Sequence, residues 1–311
     1  MVEKKIKNIH IIINPAAGKN EPVLAIINKG LKDSGIRWEI LITKKAGDGL
    51  QFAKVAVKEG VDAVAAYGGD GTMMEVAGGL MGTEVPLVIL PGGSANVLAT
   101  ELNIPKDLKE AFALIHHGPH EIKAVDMAQY NHCHFITGMV LGFGADLVKG
   151  ADRESKNKFG ILAYFFSAAA VLQRLKLTRY DLKIDGKEYR VKGLTCLVYN
   201  VGNLGFSKIS LDKHIDISDG LLDVMILKKA NLSFLKLLVT TFLTRERPEN
   251  YELVEHWQGK DISLSSSRKQ IVQCDGEVIE PISLHIKVIP AAIKILVPKL
   301  VPKKENKTIE K

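Results

Sequence analysis

Apolar positions in the first 120 residues or so follow two alternating rhythms. His10 to Asn14 is a short β-branched run. From Glu21 to Asp33 the apolar residues Val23, Leu24, Ile27 and Leu31 fall on one side of a helix. Trp38 to Thr43 reads as strand, Leu50 to Lys58 as helix, and Asp62 to Tyr67 as a buried strand running into Gly68-Gly69. Thr72 to Leu80 is helical, Pro86 to Leu90 is a strand ending at Pro91-Gly92-Gly93, and Ala95 to Leu102 and Leu108 to His116 are helices. Strands alternating with helices predict an α/β domain whose parallel sheet is covered on both faces.

Beyond Ile122 the period shortens to two. The runs are Val125 to Thr137, Tyr180 to Ile184, Tyr189 to Asn200, Leu221 to Lys228, Asp261 to Ser265 and Ile271 to Ile279, with Ser283 to Ile289 and Ile293 to Val297 last. Asp185-Gly186, Asp219-Gly220 and Asp275-Gly276 punctuate them as turns. Helical interruptions are expected near 160–175 and 232–245. The predicted organisation is an α/β domain at 1–124 and a β-rich domain at 125–290. A final segment, 291–311, should return to the first domain and end in a frayed lysine-rich tail.

Length agrees, since 311 residues make about two domains at ~150 residues each. Charged residues are 25% and apolar ones 46%, which excludes a disordered or collagen-like chain. The three cysteines, Cys133, Cys196 and Cys274, form no CxxC, which argues against a disulfide framework or zinc ribbon and for a reducing, cytoplasmic compartment. Ile9 to Ile13 is too short for the core of a signal peptide. The uncharged run Phe159 to Gln173 is fifteen residues, short of the ~20 that span a bilayer.

Charge is unevenly spread. Eleven Lys/Arg against five acids between Lys149 and Lys192 supply +6 of the net +7, and they bracket the uncharged run. Such a helix flanked by cations suits peripheral contact with an anionic membrane; a buried helix between solvated loops is the plainer reading. Nucleic acid is not an expected partner, because there is no recognised motif and little aromatic interleaving.

Candidate chemistry lies in the glycine clusters. Asn14-Pro15-Ala16-Ala17-Gly18, Gly68-Gly69-Asp70-Gly71-Thr72 and Gly92-Gly93-Ser94 each follow a predicted strand and lead into a helix. That is the sheet edge where open α/β folds bind ligands, and three such loops point to a polyphosphate. Neither common fingerprint fits: a Walker A loop would need glycine where Ile13 stands, and a dinucleotide loop would need it at Met74. Thr72 and Glu75 fit a capping box, and Ser94 fits an N-cap. Asp70, between two glycines, has no helix start left to cap and points to a metal or a phosphate-bound water network. Gln273 to Glu277 reads as a hairpin with an Asp-Gly turn, His132-Cys133-His134 as structural, and Met73 and Met74 as core.

The ordered set Gly68 to Thr72 with Glu75, then Pro91 to Asn96, then Asp275-Gly276-Glu277 and Pro290-Ala291-Ala292 resembles the diacylglycerol kinase catalytic family. Lys158-Phe159-Gly160 and Asp219 to Val224 add to the likeness, which runs from Asn14 to about Pro298. The resemblance implies an ATP-binding α/β domain of the NAD-kinase and phosphofructokinase type, a β-sandwich that takes the lipid, and an active site between them. It implies nucleotide contacts at Asn14, Pro15, Ala16, Ala17, Gly18, Thr43, Gly69, Asp70, Gly71, Thr72, Met73, Met74, Glu75 and Ser94. Glu277 is the implied general base, with Asp70 and Asp126 as acidic partners around Mg²⁺. Asp219, with backbone carbonyls of Asp216 and Leu221, is the implied structural Mg²⁺ site. A lipid hydroxyl as acceptor, ATP as donor and a homodimer through the β domain follow from the same likeness. Met74, Ser94 and Val97 depart from its usual asparagine, threonine and aspartate. An NAD kinase-like enzyme, suggested by the GGDGT run and Asn200 to Phe206, and a non-enzymatic nucleotide- or lipid-binding regulator are the alternatives.

Overall fold

The computed structural model describes residues 5–18, 21–116, 119–131, 133–142, 176–202, 215–228, 253–275, 277–279 and 283–299. The helices expected near 160–175 and 232–245, most of the basic 149–192 region and the tail beyond 300 lie outside the described residues.

The N-terminal half alternates as its pattern predicts. The elements are β1 (Asn8–Ile13), α1 (Val23–Leu31), β2 (Arg37–Ile42), α2 (Asp48–Lys58), β3 (Ala63–Gly68), α3 (Asp70–Leu80), β4 (Leu87–Pro91), α4 (Val97–Glu101) and α5 (Leu108–Ala113). The four strands pair in parallel in the order β2-β1-β3-β4. Because β2 leaves β1 on one side and β3 joins it on the other, the strand order reverses between β1 and β3. Crevices at such reversals, outside the carboxyl ends of the strands, hold ligands. Ile9, Ile11 and Ile12 are fully buried in β1, each contributing about 1.5–3 kcal/mol of burial energy. Helices cover both faces: α1 packs on α5 and α2 on α3. The second pair is close enough that a Cβ on Gly79 would lie 2.6 Å from the Ala53 side chain.

The C-terminal half comprises β5 (His120–Tyr130), β6 (Cys133–Phe135), β7 (Gly138–Leu141), β8 (Thr178–Ile184), β9 (Lys187–Gly193), β10 (Thr195–Tyr199), β11 (Leu222–Leu227), β12 (Val254–Gly259), β13 (Asp261–Ser266), β14 (Val272–Cys274), β15 (Glu277–Ile279) and β16 (Ser283–Pro298). One antiparallel sheet runs β12-β11-β10-β7-β14-β15. A second core between the sheets holds Tyr180, Phe135, Met139, Val198 and Ile262, all fully buried or nearly so. The run Tyr189 to Asn200, read as one strand, breaks at Gly193-Leu194 into β9 and β10, which belong to different sheets. Gly193 sits where a Cβ would lie 2.3 Å from the Ile226 side chain. Val125 to Thr137 likewise divides at a turn whose Asn131 has φ 51°.

β16 joins the halves. It pairs antiparallel with β13 through Ser283–Lys287 and with β5 along its length, and then parallel with β4 at Ile295 and Leu87. The two strands expected at its ends are one, interrupted by a register shift between Ile289 and Ile293. The N-terminal sheet thus continues into the sandwich, and Ile293, Ile295 and Leu296 finish the first core.

Candidate active site

The loops after β1, β3 and β4 converge because their glycines permit it. A Cβ on Gly93 would stand 2.6 Å from the Gly69 Cα, so the β3 and β4 loops touch backbone to backbone. Gly92 lies over the Tyr67 ring, with 2.7 Å left for a Cβ. Among the described residues nothing lies within 4 Å of where a Cβ on Gly18 or Gly71 would stand, which leaves those backbones room for a ligand. Asn14 crosses the reversal point: its N–H donates to the Tyr67 carbonyl at 2.9 Å and its Nδ2 to Thr72 Oγ1 at 3.0 Å. Its Oδ1 accepts the Ala16 N–H, which tightens the turn.

This geometry corrects two capping expectations. α3 starts at Asp70 with Gly69 as N-cap, so Thr72 and Glu75 are inside the helix and form no capping box. Thr72 instead serves Asn14. The Glu75 carboxylate accepts the N–H groups of Gly47 and Gly49, both at 2.9 Å, and so holds the start of α2. Ser94 is exposed and caps nothing; Asn96, at φ 49°, precedes α4, and its side chain bonds both the N–H and the carbonyl of Gly93. Met73 is core, and Met74 packs partly buried against it. Thr43 donates its N–H to Ile13 at the end of β1.

Asp70 opens α3, with Oδ1 accepting the Leu98 N–H at 3.3 Å. Burial holds its carboxyl above the ordinary range, and the charge of Asp275 pushes the same way. Asp275 comes from the β14–β15 turn, so an acid of each half stands within electrostatic reach of the other. Asp275 has φ 42° and accepts from Ile136 N–H at 2.8 Å, Thr137 N–H at 3.2 Å, Gly138 N–H at 3.1 Å and the Thr137 hydroxyl. Burial raises its pKa and these four donors oppose the rise. The expected Asp-Gly hairpin is present, with Glu277 paired opposite Cys274.

Asp126, only 2% exposed, is a brace. Its Oδ2 accepts the Gly220 N–H at 2.6 Å and its Oδ1 the Ala291 N–H at 2.7 Å. It thereby ties the 215–221 turn to the bulge of β16. Within that turn the Asp216 carbonyl accepts the Asp219 N–H at 3.3 Å, and Asp219 Oδ1 accepts the Leu221 N–H at 2.9 Å. Asp219 is pushed up by burial and by the nearby charges of Asp223, Asp216 and Asp126. Sequence reasoning did not single out Asn96, Thr137 or Gly220 as site residues. Only the Pro290-Ala291-Ala292 motif hinted at the brace on Ala291.

A glycine-lined switch point faced by buried carboxylates from a sandwich is a site for phosphoryl chemistry. Residues 8–130 match the diacylglycerol kinase catalytic domain, and residues 139–297 match the YegS C-terminal NAD kinase beta sandwich-like domain. A diacylglycerol kinase of Bacillus subtilis (strain 168) is 30% identical over 279 residues, 88% of this chain and 90% of that one. A protein of Klebsiella pneumoniae (strain 342) named "Probable lipid kinase YegS-like" is 29% identical over 294 residues, 93% of this chain and 95% of its own. The crystal structure of a diacylglycerol kinase from Bacillus anthracis str. Sterne superposes with a TM-score of 0.73 at 22% identity, covering 96% of this chain and 98% of that one, a likeness of fold. The chain belongs to the diacylglycerol kinase family of lipid kinases, phosphotransferases with an alcohol group as acceptor.

Proposed function

We propose that this chain transfers the γ-phosphoryl group of ATP to the hydroxyl of a diacylglycerol-type lipid; a sphingoid base, phosphatidylglycerol and a polyprenol present the same group beside an apolar chain. The observation that carries the reading is the convergence of the glycine loops, where a Cβ on Gly93 would stand 2.6 Å from the Gly69 Cα, with Asp275 of the sandwich within electrostatic reach of Asp70 and Glu277 two residues beyond. Backbone N–H groups of Gly18, Gly69, Gly71 and Ser94 line the phosphate run, with Thr43 at its side, while those of Asn14, Ala16, Ala17, Gly92 and Gly93 are bonded within the protein and shape the loops. Glu277 takes the proton as the lipid oxygen bonds to the γ-phosphorus, and the bond from that phosphorus to the β–γ bridging oxygen breaks to leave ADP.

Two groups of residues fit Mg²⁺. Asp70 is desolvated beside another carboxylate, and Asp219 is raised by three, which are environments that a hard cation relieves. Bound there, Mg²⁺ supplies neutralisation of phosphate charge at Asp70 and stiffness at the Asp216–Leu221 turn. Asp126 orients that turn.

No helix among the described residues is long and apolar enough to cross a membrane. Peripheral contact with anionic lipid through 149–192 fits the half-exposed Leu177 beside Lys176. The test is transfer of labelled γ-phosphate to a panel of lipids in mixed micelles, with Asp70→Ala and Glu277→Gln in parallel. Label in one lipid, lost in both variants, supports the reading; label in NAD without lipid favours the second reading, prompted by the NAD kinase-like sandwich.

A further inference from the structure

His10 lies on β1, and its side chain turns to Glu39 and Glu59. Its imidazole is 5% exposed, and Nδ1 has no hydrogen-bond partner among the described residues. A buried polar atom left in that state is uncommon. Nε2 is directed at two carboxylates from different elements, Glu59 Oε2 at 3.4 Å and Glu39 Oε2 at 3.6 Å. Glu39 is the residue opposite His10 in the parallel β1–β2 register, and Glu59 closes α2.

Those separations exceed the ~2.7–2.9 Å of a charge-assisted hydrogen bond. They match the edge of a metal polyhedron. Zinc at ~2.0–2.1 Å from nitrogen and ~2.0–2.2 Å from oxygen, at a tetrahedral angle, sets its ligand atoms about 3.4 Å apart. All three donor atoms lie within 4.8 Å of one another. The glutamate side chains are 60% and 53% exposed, which gives an ion an entrance and a fourth position open to water. Two carboxylates and a neutral imidazole balance the charge of a divalent ion, and one nitrogen with two oxygens suits zinc better than Mg²⁺, which prefers oxygen alone.

We propose that His10, Glu39 and Glu59 form a site for a divalent transition-metal ion of the zinc type, which staples β1, β2 and the end of α2 together. The test is a zinc titration of the full chain after chelator treatment, without nucleotide or Mg²⁺, read by competition with a chromogenic chelator. Wild type is compared with the double variant Glu39→Gln/Glu59→Gln; both side chains are more than half exposed, so the variant keeps the fold, which a circular dichroism melt checks. The expected result is a loss of about tenfold or more in zinc affinity in the variant, with a zinc-induced rise in Tm confined to wild type. X-ray absorption of the zinc-loaded wild type should show a nitrogen and oxygen shell. Indistinguishable titrations of the two chains would overturn the proposal, since the two carboxylates would then take no part in holding an ion. Sulfur in the shell would overturn it too, assigning the ion to cysteine.

Discussion

The two halves build their sides of the cleft by different means. In the α/β half the site is made by backbone: short loops after successive strands brought together by glycines, with bonds such as Asp70 to Leu98 spanning 28 residues. In the sandwich half it is made by buried carboxylates bonded to distant N–H groups, Asp275 to Ile136 across 139 residues and Asp126 to Ala291 across 165. Backbone loops tolerate changes of side chain but not of Cβ, whereas a buried acid that accepts several N–H groups does not tolerate deletion. The first arrangement suits a polyphosphate whose many oxygens need N–H groups. The second suits holding one acid at a fixed place.

The comparison can be broken most sharply at the reacting groups. Asp70→Ala and Glu277→Gln should each reduce lipid phosphorylation by about 10²–10⁴-fold in the labelled-phosphate assay. An equal, near-total loss from one residue of each half would show that the halves act as one site.

Asp275→Ala tests the sandwich side alone. It strands the N–H groups of Ile136, Thr137 and Gly138 in the interior, and urea unfolding should report a loss of about 3 kcal/mol. Asp275→Asn keeps an acceptor and should lose less.

Gly93→Ala tests the backbone side. Its Cβ meets the Gly69 Cα at 2.6 Å, and backbone cannot yield as a side-chain tip does. Unfolding should show a cost of about 1–3 kcal/mol, and the KM for ATP should rise while the KM for lipid holds.

The smallest effect is a pH difference. A carboxyl whose native pKa is raised contributes stability below its unfolded pKa and loses that contribution as pH rises through the native one. Ionised Asp70 therefore strains the fold at neutral pH. Asp70→Asn should have a higher Tm than wild type at pH 7, and the gap should shrink as pH falls through the carboxylate range.

Legibility followed the same division. The α/β half was readable element by element, since apolar period and glycine position are local properties; Asn14, Gly68 to Thr72 and Gly92-Gly93 all lie where the strand-end loops converge. The capping roles of Thr72, Glu75 and Ser94 were misread because their partners, Asn14, Gly47 with Gly49, and none, lie outside the local window. In the β half, β7 and β12 escaped notice, and β9 and β10 were merged. Period two does not say which sheet a strand joins, and only the packing of Gly193 on Ile226 marks the change.

Residue order alone determined the strand–helix alternation, the Asp-Gly hairpins at 185 and 275 and the glycine loops at strand ends, because each depends on backbone preferences and on spacing of a few residues. Tertiary structure decided that Asp275 comes within electrostatic reach of Asp70, that Asp126 braces a turn and a bulge, and that His10 meets Glu39 and Glu59. Those are encounters between residues of different elements: the first two depend on β16 carrying the ten-stranded sheet from the α/β half into the sandwich, the third on the β1–β2 register and the placing of α2, and no local pattern encodes them.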